Sequence, residues 1–398
     1  MFWERQLENT LSRLKREVHA PLRLVLWDGR EVAFSDEARA TIRLNDTHAA
    51  MALRRPSLLA FARAYIEGEA DVEGDLKDVI DSAEAISRAV PPRRFASGMG
   101  QRHSRSDDRE AIHHHYDVSN EFYALWLDPR MVYSCAYFRR EDDTLEAAQV
   151  QKLDHICRKL RLAPGERFLD IGCGWGALVM HAAREYGVDA TGITISENQH
   201  RLAHERIREA GLEGRCRVLL RDYRDVEGVF DKVASVGMFE HVGLANLSAY
   251  FGVVRRVLRE QGLFLNHGIT SSDTLSREVG LGAGEFIDTY VFPKGELPHL
   301  HRVILEMSKQ DLEVHDVECL RPHYAKTLGR WSAAFEQRLK EASAAAGERT
   351  TRIWRIYLAG CAHAFDQGWI SVYQVLATRR EVPGPTSLPL TRDWMYSQ

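Results

Sequence analysis

Three glycines at alternate positions form the part of this chain whose spacing most clearly suggests chemistry. Gly172, Gly174 and Gly176 directly follow the apolar run 168–171 and directly precede a helical pattern over 177–186. This order predicts a strand, a tight turn and a helix, in which the missing side chains let a flat, polar cofactor lie against the backbone. The alternative is a turn that serves packing alone.

The glycine spacing and the segment after the next predicted strand narrow the class of cofactor. Dinucleotide-binding proteins carry Gly-x-Gly-x-x-Gly and an acidic residue that binds the ribose about 20 residues further on. This chain has Gly-x-Gly-x-Gly instead, and no acidic residue ends its second strand, which leads into Ile195-Ser196. A Walker lysine is also missing. An adenosyl cofactor without phosphates, S-adenosylmethionine, therefore fits better than NAD or ATP.

A carboxylate and an imidazole follow two other predicted strands of the same sheet. Glu240 lies in the segment 237–243 after the fourth strand, and His267 lies in 266–269 at the end of the fifth. Because ligands bind outside the carboxyl ends of parallel strands, both side chains are suited to acid–base work or to anion binding. The alternative for His267 is a hydrogen-bonded core histidine. Glu240 would be buried and needs a partner.

Two further segments precede the sheet and are ambiguous by themselves. His113, His114 and His115 could suggest a metal, but neighbouring residues on a helix point about 100° apart, so we expect no metal site. The aromatic-rich segment 133–138 either lines a pocket or fills the core.

Length, composition and charge exclude several classes of protein. The chain has 398 residues and a net charge of −4, so its overall charge gives no reason to expect nucleic-acid binding. No run of 18 apolar residues predicts a membrane span, and the first residues do not form a signal peptide. The scattered cysteines argue against structural zinc and a disulfide framework, and favour the cytoplasm. They are residues 135, 157, 173, 216, 319 and 361.

Alternating strand and helix patterns position these groups. From residue 111 onward the alternation predicts an α/β fold with a doubly wound, mostly parallel sheet. Glycines and prolines interrupt it over about 271–330, which predicts a lid or a substrate wall inserted in the domain. The predicted strands are 167–170, 189–194, 216–220, 230–236 and 262–267, and the predicted helices include 197–210, 246–260, 331–339 and 351–365.

The first 90 residues predict a separate, small α+β module. Asp28-Gly29 joins the strand-like runs 22–27 and 31–34 as a hairpin, a short strand follows over 40–44, and helical patterns extend from 47 to 89. Residues 91–110 read as a linker with four arginines. This linker is either a solvated tether or a contact with anionic lipid headgroups, to which each basic residue would contribute roughly 1 kcal/mol. The arginines are Arg93, Arg94, Arg102 and Arg105.

Taken together and in order, these motifs resemble the cyclopropane-fatty-acid-phospholipid synthases. The resemblance is strong over about 111–380 and looser over 1–90. It implies a class I, Rossmann-like methyltransferase domain over 111–398 and an N-terminal lipid-carrier-like module over 1–90 that docks on the membrane. The segments that carry it are 112–138, 168–199, 217–225, 235–243, 263–271, 286–300 and 369–379.

The resemblance also implies two sets of site residues. One surrounds S-adenosylmethionine, with Gln199 at the ribose and Asp222-Tyr223 beside the adenine. The other holds a bicarbonate ion in the active site. The cofactor set is Tyr133, Ser134, Asp170, Gly172, Gly174, Gly176, Thr194, Gln199, Asp222 and Tyr223. The bicarbonate set is Cys135, Glu240, His267, the backbone of Ile269, and Tyr324.

The implied activity is formation of a cyclopropane ring on an unsaturated acyl chain of a membrane phospholipid. Bicarbonate would be the base, and the faces of Tyr137, Phe138 and Phe239 would stabilise the positive charge. The alternatives are a fatty-acyl C-methyltransferase that gives a methylene or methyl-branched chain, and a lipid-binding protein without catalysis. A small-molecule or nucleic-acid methyltransferase is a more distant reading. The resemblance also leads us to expect a homodimer, peripherally bound to the inner face of the cell membrane.

Overall fold

A computed structural model describes most of the chain and contains two sheets. The residues described are 2–52, 58–88, 118–275, 283–292, 295–380, 384 and 388–396. The predicted arginine-rich linker and the three adjacent histidines lie outside these ranges.

The first sheet belongs to the N-terminal module and has the strand order β2-β1-β3-β4 among the residues described. A first helix, α1 (Phe2–Glu17), buries Leu7, Leu11 and Leu14 against the core, because residues three and four apart share one face of a helix. The hairpin and the third strand are confirmed. They are β1 (Leu22–Val25), β2 (Glu31–Ala33) and β3 (Ala40–Leu44).

The predicted helical region 47–89 is wrong in one place. A strand, β4 (Ala70–Gly74), interrupts it and pairs antiparallel with β3. Gly68 and Gly74 both have a positive φ, which breaks the helical pattern on either side of the strand. The helices around it are α2 (Thr47–Ala52), α3 (Leu58–Ile66) and α4 (Leu76–Arg88).

The second sheet carries the candidate site and has the order β10-β11-β9-β8-β5-β6-β7 in the described part of the chain. Its pairs from β9 to β7 are parallel, and β11 and β10 add antiparallel pairs at one edge. The predicted mostly parallel, doubly wound sheet is confirmed. The strands are β5 (Arg167–Ile171), β6 (Asp189–Thr194), β7 (Cys216–Leu220), β8 (Phe230–Val236), β9 (Leu258–Ser271), β10 (Leu312–Cys319) and β11 (Ile370–Arg379).

Helices cover both faces of this sheet, so its central strands are buried on both sides. Phe168 and Leu169 of β5 belong to different core clusters, because successive side chains of a strand point to opposite faces. The helices are α5 (Asn120–Ala124), α6 (Leu145–Lys159), α7 (Ala177–Tyr186), α8 (Glu197–Glu209), α9 (Leu247–Val257), α10 (Ala283–Tyr290), α11 (Leu300–Ser308), α12 (Arg321–Glu336), α13 (Leu339–Ala346), α14 (Glu348–Asp366) and α15 (Asp393–Tyr396).

Several boundaries differ from the sequence prediction. The helix predicted over 331–339 is the last part of α12, which begins ten residues earlier at Arg321 and ends at Glu336. The helix predicted over 246–260 ends at Val257, because Leu258 begins β9 and is fully buried beside Phe230 of β8. The segment predicted as an insertion, 271–330, contains β10, which pairs with β11 and is the edge strand of the main sheet. Whether the rest of that segment acts as a lid remains a prediction.

Helix α14 joins the N-terminal module to the main sheet through charged contacts. Arg352 Nη1 donates to the Tyr65 carbonyl at 2.8 Å. His363 lies between two carboxylates of α4, with Nε2 at 2.6 Å from Glu84 and Nδ1 at 2.7 Å from Asp81. Arg352 and His363 of α14 therefore link the main sheet's domain to α3 and α4 of the N-terminal module.

Candidate active site

A pocket opens at the carboxyl ends of β5, β6 and β8, where the glycine turn leaves the sheet. Nearly all of the predicted cofactor residues line it; Gly176 is the exception. Those that do are Tyr133, Ser134, Asp170, Gly172, Gly174, Thr194, Gln199, Asp222 and Tyr223.

The three glycines of the turn serve different purposes. At Gly174, with φ +54°, a side chain would meet no atom within 4 Å, so it would extend into open pocket space. At Gly172, a Cβ would lie 2.9 Å from Met238. At Gly176, a Cβ would lie 3.3 Å from the Cβ of Ala203, so the missing side chain lets α7 pack closely on α8. The turn therefore offers bare backbone to a ligand at Gly174, whereas Gly176 serves packing.

Different segments form the wall of the pocket, and hydrogen bonds at the start of α8 hold the segment that contains Thr194 and Gln199. Thr194 Oγ1 donates to Gln199 Oε1 at 2.7 Å, and Ser196 caps the helix by accepting from the Gln199 amide. These bonds fix the Gln199 side chain in the pocket wall. Further along, Asp222 Oδ1 accepts from the backbone and side chain of Arg224, each at 2.9 Å.

Lys152 is a pocket residue that the sequence analysis missed. Its ammonium is buried in α6 and donates to Ser134 Oγ at 2.9 Å. Gln149, one turn earlier, donates to the Ser134 carbonyl at 2.9 Å. Burial lowers the pKa of Lys152 to about 8. A lysine and a glutamine within the apolar stripe of Ala148 and Ile156 were the available signal, because buried polar side chains need partners.

Asp170, at the end of β5, is fully buried beside the pocket. Burial raises the pKa of its carboxyl group to about 7, although the positive charge of Lys152 acts in the opposite direction. Within the described residues its Oδ1 has no hydrogen-bond partner. A buried acceptor without a partner costs free energy, so its position in the pocket wall fits a ligand that donates hydrogen bonds.

Glu240 and His267 are positioned by two neighbouring strands: Glu240 lies in the short turn after β8, and His267 lies within β9. The Glu240 carboxylate follows β8 and accepts from the Ile269 amide at 2.6 Å through Oε1. Burial raises the pKa of Glu240 to about 7. In the part of the chain that the structure covers, its Oε2 has no partner. The structure thus joins Glu240 to Ile269, two of the residues predicted to bind an anion.

His267 is neither a fully hydrogen-bonded core histidine nor a free one. Its Nδ1 lies 3.2 Å from Nε2 of Gln374, whereas its Nε2 has no partner among the residues described. The ring is 2% exposed, and burial lowers its pKa to about 3, helped by the positive charge of Lys152. His267 is therefore neutral across the physiological range and has one nitrogen left for a ligand.

Cys135 and Tyr324 both approach the Leu320 carbonyl, directly before α12. The Cys135 thiol lies 3.8 Å from the Leu320 carbonyl, which also accepts from the Tyr324 amide at 3.0 Å. Burial raises the pKa of the thiol well above its usual range, so it stays protonated. Both residues belong to one apolar cluster, against which Ile269 also packs.

A family model described as "Mycolic acid cyclopropane synthetase" matches residues 103–375. The chain belongs to this family. A second model, for a domain of unknown function, matches residues 10–90. The resemblance inferred from the sequence is confirmed.

Relatives and solved structures extend this assignment. The chain is 48% identical to a probable fatty acid methyltransferase of Pseudomonas putida, over 96% of this chain and 98% of that protein. It is 42% identical to the cyclopropane-fatty-acyl-phospholipid synthase of Escherichia coli (strain K12), over 67% of this chain and 66% of that one. It also matches mycolic acid cyclopropane synthase CmaA1 complexed with SAH and CTAB, with a TM-score of 0.65 and 37% identity over 68% and 98% of the two chains.

This cyclopropane synthetase family member is an S-adenosylmethionine-dependent methyltransferase with the class I fold. The chemistry of the pocket fits that cosubstrate, with bare backbone at Gly174 and an Asp170 Oδ1 that has no hydrogen-bond partner in the described part of the chain. Among the helices described, none has the length and apolar character needed to cross a membrane.

The rings of Tyr137, Phe138 and Phe239, predicted to stabilise positive charge on the substrate, are packed against other residues of the protein. Tyr137 is stacked between two histidines, with ring centroids 4.3 and 4.7 Å away, and Phe138 lies under the Lys326 ammonium. Phe239 fills the space above Gly268. The aromatic rings in the pocket wall include Tyr133, Trp175 and Tyr223 instead, and the Tyr133 hydroxyl donates to that of Tyr357 at 3.0 Å.

Proposed function

We propose that the protein transfers a methyl(ene) group to the cis double bond of an unsaturated acyl chain of a membrane phospholipid and closes a cyclopropane ring. The observation that carries this proposal is that two buried polar atoms, Glu240 Oε2 and His267 Nε2, have no hydrogen-bond partner among the residues that the structure describes. Glu240 follows strand β8 and His267 lies on strand β9, and β8 pairs with β5, the strand that leads into the glycine turn of the methyl-donor pocket. Buried polar atoms without partners are typical of a site that a polar ligand completes.

The reaction needs two things from the protein: it must position the alkene against the methyl group, and it must hold a base. When bound, S-adenosylmethionine supplies an electrophilic methyl group. An alkene is a weak nucleophile, so its double bond must be held close to that methyl group and in line with the bond that breaks. The electron pair of the alkene would form the new C–C bond while the S–CH₃ bond breaks, so that S-adenosylhomocysteine leaves with that bond's electron pair and the acyl chain carries the positive charge. Loss of one proton from the added methyl group then supplies the electron pair that closes the ring.

The second requirement is to hold a base that can leave. A carboxylate side chain placed against the charged carbon could bond to it permanently, whereas a bicarbonate held by Glu240, His267, Cys135, Tyr324 and the Ile269 backbone would supply a removable base. The raised pKa of Glu240 supports this reading, because a partly protonated carboxyl group does not repel a second anion as an ionised one does. Neutral His267 offers an N–H donor to an anion.

The proposal extends to the lipid and to the N-terminal module. The name of the Escherichia coli relative is that of an enzyme acting on phospholipid acyl chains. We assign residues 1–90 to lipid binding and membrane docking, and the arginines of the linker 91–110 to contact with anionic headgroups. Peripheral binding to the inner face of the cell membrane and a homodimer belong to the same proposal.

A second candidate is a fatty-acyl C-methyltransferase that leaves a methylene or methyl-branched chain. It is supported by the Pseudomonas putida relative named as a probable fatty acid methyltransferase, which matches 96% of this chain, against 67% for the cyclopropane synthase. The two reactions share methyl transfer and differ in which proton is lost.

Removal of the Glu240 carboxyl group tests the proposed base. We expect Glu240→Ala to abolish turnover or slow it greatly while the affinity for S-adenosylmethionine, measured by calorimetry, stays near wild type. In carbonate-free buffer the wild-type rate should fall, and added bicarbonate should restore it. Glu213→Ala, which changes an exposed carboxylate outside the pocket lining, is the matched control. A wild-type rate that is indifferent to bicarbonate would contradict the proposal.

A further inference from the structure

A buried amide on the antiparallel edge of the sheet contacts the candidate base-binding site. Gln374 of β11 is directly opposite His267 of β9 in the register of the two strands. Both side chains are almost completely buried, at 0% and 2% exposure. Gln374 Nε2 lies 3.2 Å from His267 Nδ1. The contact is therefore fixed by strand pairing and does not depend on a loop.

The chemistry of this contact determines where the imidazole carries its proton. A neutral imidazole has one N–H and one lone pair, and an amide nitrogen only donates. Because Gln374 donates to Nδ1, that nitrogen holds the lone pair and the proton is on Nε2. Nε2 is the nitrogen that has no partner within the described ranges.

We propose that Gln374 is a positioning residue, which holds His267 as the Nε2–H tautomer so that its proton faces the bound anion. This inference rests on the proposed function, because it assigns a donor to the site that would hold bicarbonate. With the opposite tautomer, a lone pair would face the anion and repel it. The second partner of a ligating histidine has the same effect at metal sites, where it fixes the tautomer and ring orientation.

Two substitutions change the hydrogen bond without a large change in volume. Gln374→Glu replaces the donor with an acceptor, so that Nδ1 must carry a proton. Gln374→Met keeps an unbranched side chain and removes the donor, so that both tautomers become accessible. Thr378→Val is the matched control, because Thr378 lies four residues further along β11 and its hydroxyl contacts His315 at 2.7 Å, away from His267.

The tautomer is measured directly by NMR on protein with ¹⁵N-labelled histidine rings. The His267 signals are identified by their loss in His267→Asn. We expect a protonated Nε2 and an unprotonated Nδ1 in wild type and in Thr378→Val, a protonated Nδ1 in Gln374→Glu, and a mixture in Gln374→Met. A wild-type proton on Nδ1, or an unchanged tautomer in both Gln374 variants, would overturn the inference.

Kinetics then connect the tautomer to the anion. We expect both Gln374 variants to lose about tenfold or more in rate, the size of effect that supporting partners have at ligand sites. The bicarbonate concentration for half-maximal rate should rise, with S-adenosylmethionine affinity unchanged. Wild-type kinetics in both variants would also overturn the inference. A wild-type rate indifferent to bicarbonate would defeat the proposed base instead, and the NMR result would still report on Gln374.

Discussion

Lys152 donates a hydrogen bond from its buried ammonium to the hydroxyl of Ser134, at 2.9 Å. Its side chain thereby fixes Ser134, which lines the pocket proposed to hold the cofactor. An ammonium without exposure to water is costly unless it is paired, and Asp170 and Asp128 supply the nearby negative charge. The lysine therefore helps to shape the pocket and sets the electrostatic potential inside it.

Replacement of this lysine should weaken cofactor binding. Lys152→Met keeps the length of the side chain but removes the donor to Ser134. We expect the affinity for S-adenosylmethionine to fall by roughly tenfold to a hundredfold, because a hydrogen bond from a charged group contributes roughly 1.5–3 kcal/mol and each change of about 1.4 kcal/mol is a factor of ten. The measurement is calorimetric titration.

A second buried lysine of the same helix is the control for this prediction. Lys159 pairs with Glu318 and lies outside the pocket lining. Lys159→Met should lower the free energy of unfolding and leave the affinity of the folded protein unchanged. Equal affinities of Lys152→Met and wild type would show that Lys152 has no part in cofactor binding.

The open space above Gly174 gives a second prediction. A valine side chain there would occupy the pocket, so Gly174→Val should abolish S-adenosylmethionine binding with the fold retained. The positive φ of Gly174 adds backbone strain, which Gly211→Val reproduces in the exposed turn after α8, where φ is +65°. If Gly174→Val binds with wild-type affinity, the cofactor does not lie on this turn.

Burial decides which strands of this protein could be predicted from the sequence. The central parallel strands were predictable, because strands buried on both faces are short apolar runs bounded by glycine, such as β5 and β8. Strand β10 was not, because its sequence, LEVHDVEC, has a mixed polar pattern at the sheet edge and lies within a segment rich in turn residues. Strand β4 was missed for the same reason.

The residues of the candidate site also fall into a group that the sequence predicts and a group that it does not. Gly174 and Glu240 follow directly from strand ends, and the structure places them there. Gln374 could not be assigned from the sequence, because a glutamine in a strand has no special pattern. Lys152 lies within an apolar helical stripe but was missed, because a lysine on a helix is usually solvated. Only tertiary packing shows that both are buried.

The raised pKa of Glu240 predicts a stability that falls as pH rises. Its pKa is about 7 in the folded protein against 4.5 ordinarily. Between these values the unfolded chain has lost the proton that the folded protein still binds, so ionisation costs the folded state on the order of 3 kcal/mol by pH 8. Below pH 4.5 both states are protonated and the cost vanishes.

Urea unfolding in carbonate-free buffer measures this effect. Glu240→Gln cannot ionise, so we expect it to gain stability relative to wild type as pH rises from 4.5 to 8. Glu213→Gln, with an exposed side chain, should follow the wild-type curve. Parallel pH profiles of Glu240→Gln and wild type would contradict the assigned pKa shift.

The arginine-rich linker predicts salt-sensitive membrane binding. We expect replacement of Arg93, Arg94, Arg102 and Arg105 by alanine to weaken binding to anionic vesicles at least tenfold at low salt, since each basic residue near the surface contributes roughly 1 kcal/mol. Replacement of the same four residues by lysine preserves the charge and should preserve binding. Added salt should weaken wild-type binding. Salt-insensitive binding that is equal in wild type and the alanine variant would exclude this role.

The product of the purified protein tests the central claim most directly. The protein is incubated with S-adenosylmethionine, bicarbonate and vesicles of a cis-unsaturated phospholipid, and the acyl chains are analysed by mass spectrometry before and after ozonolysis. Ring closure predicts an acyl chain heavier by one CH₂ that ozone does not cleave. A product of the same mass that ozone cleaves would assign the methylene or methyl-branched reaction, and the absence of any heavier chain would contradict a phospholipid acyl substrate.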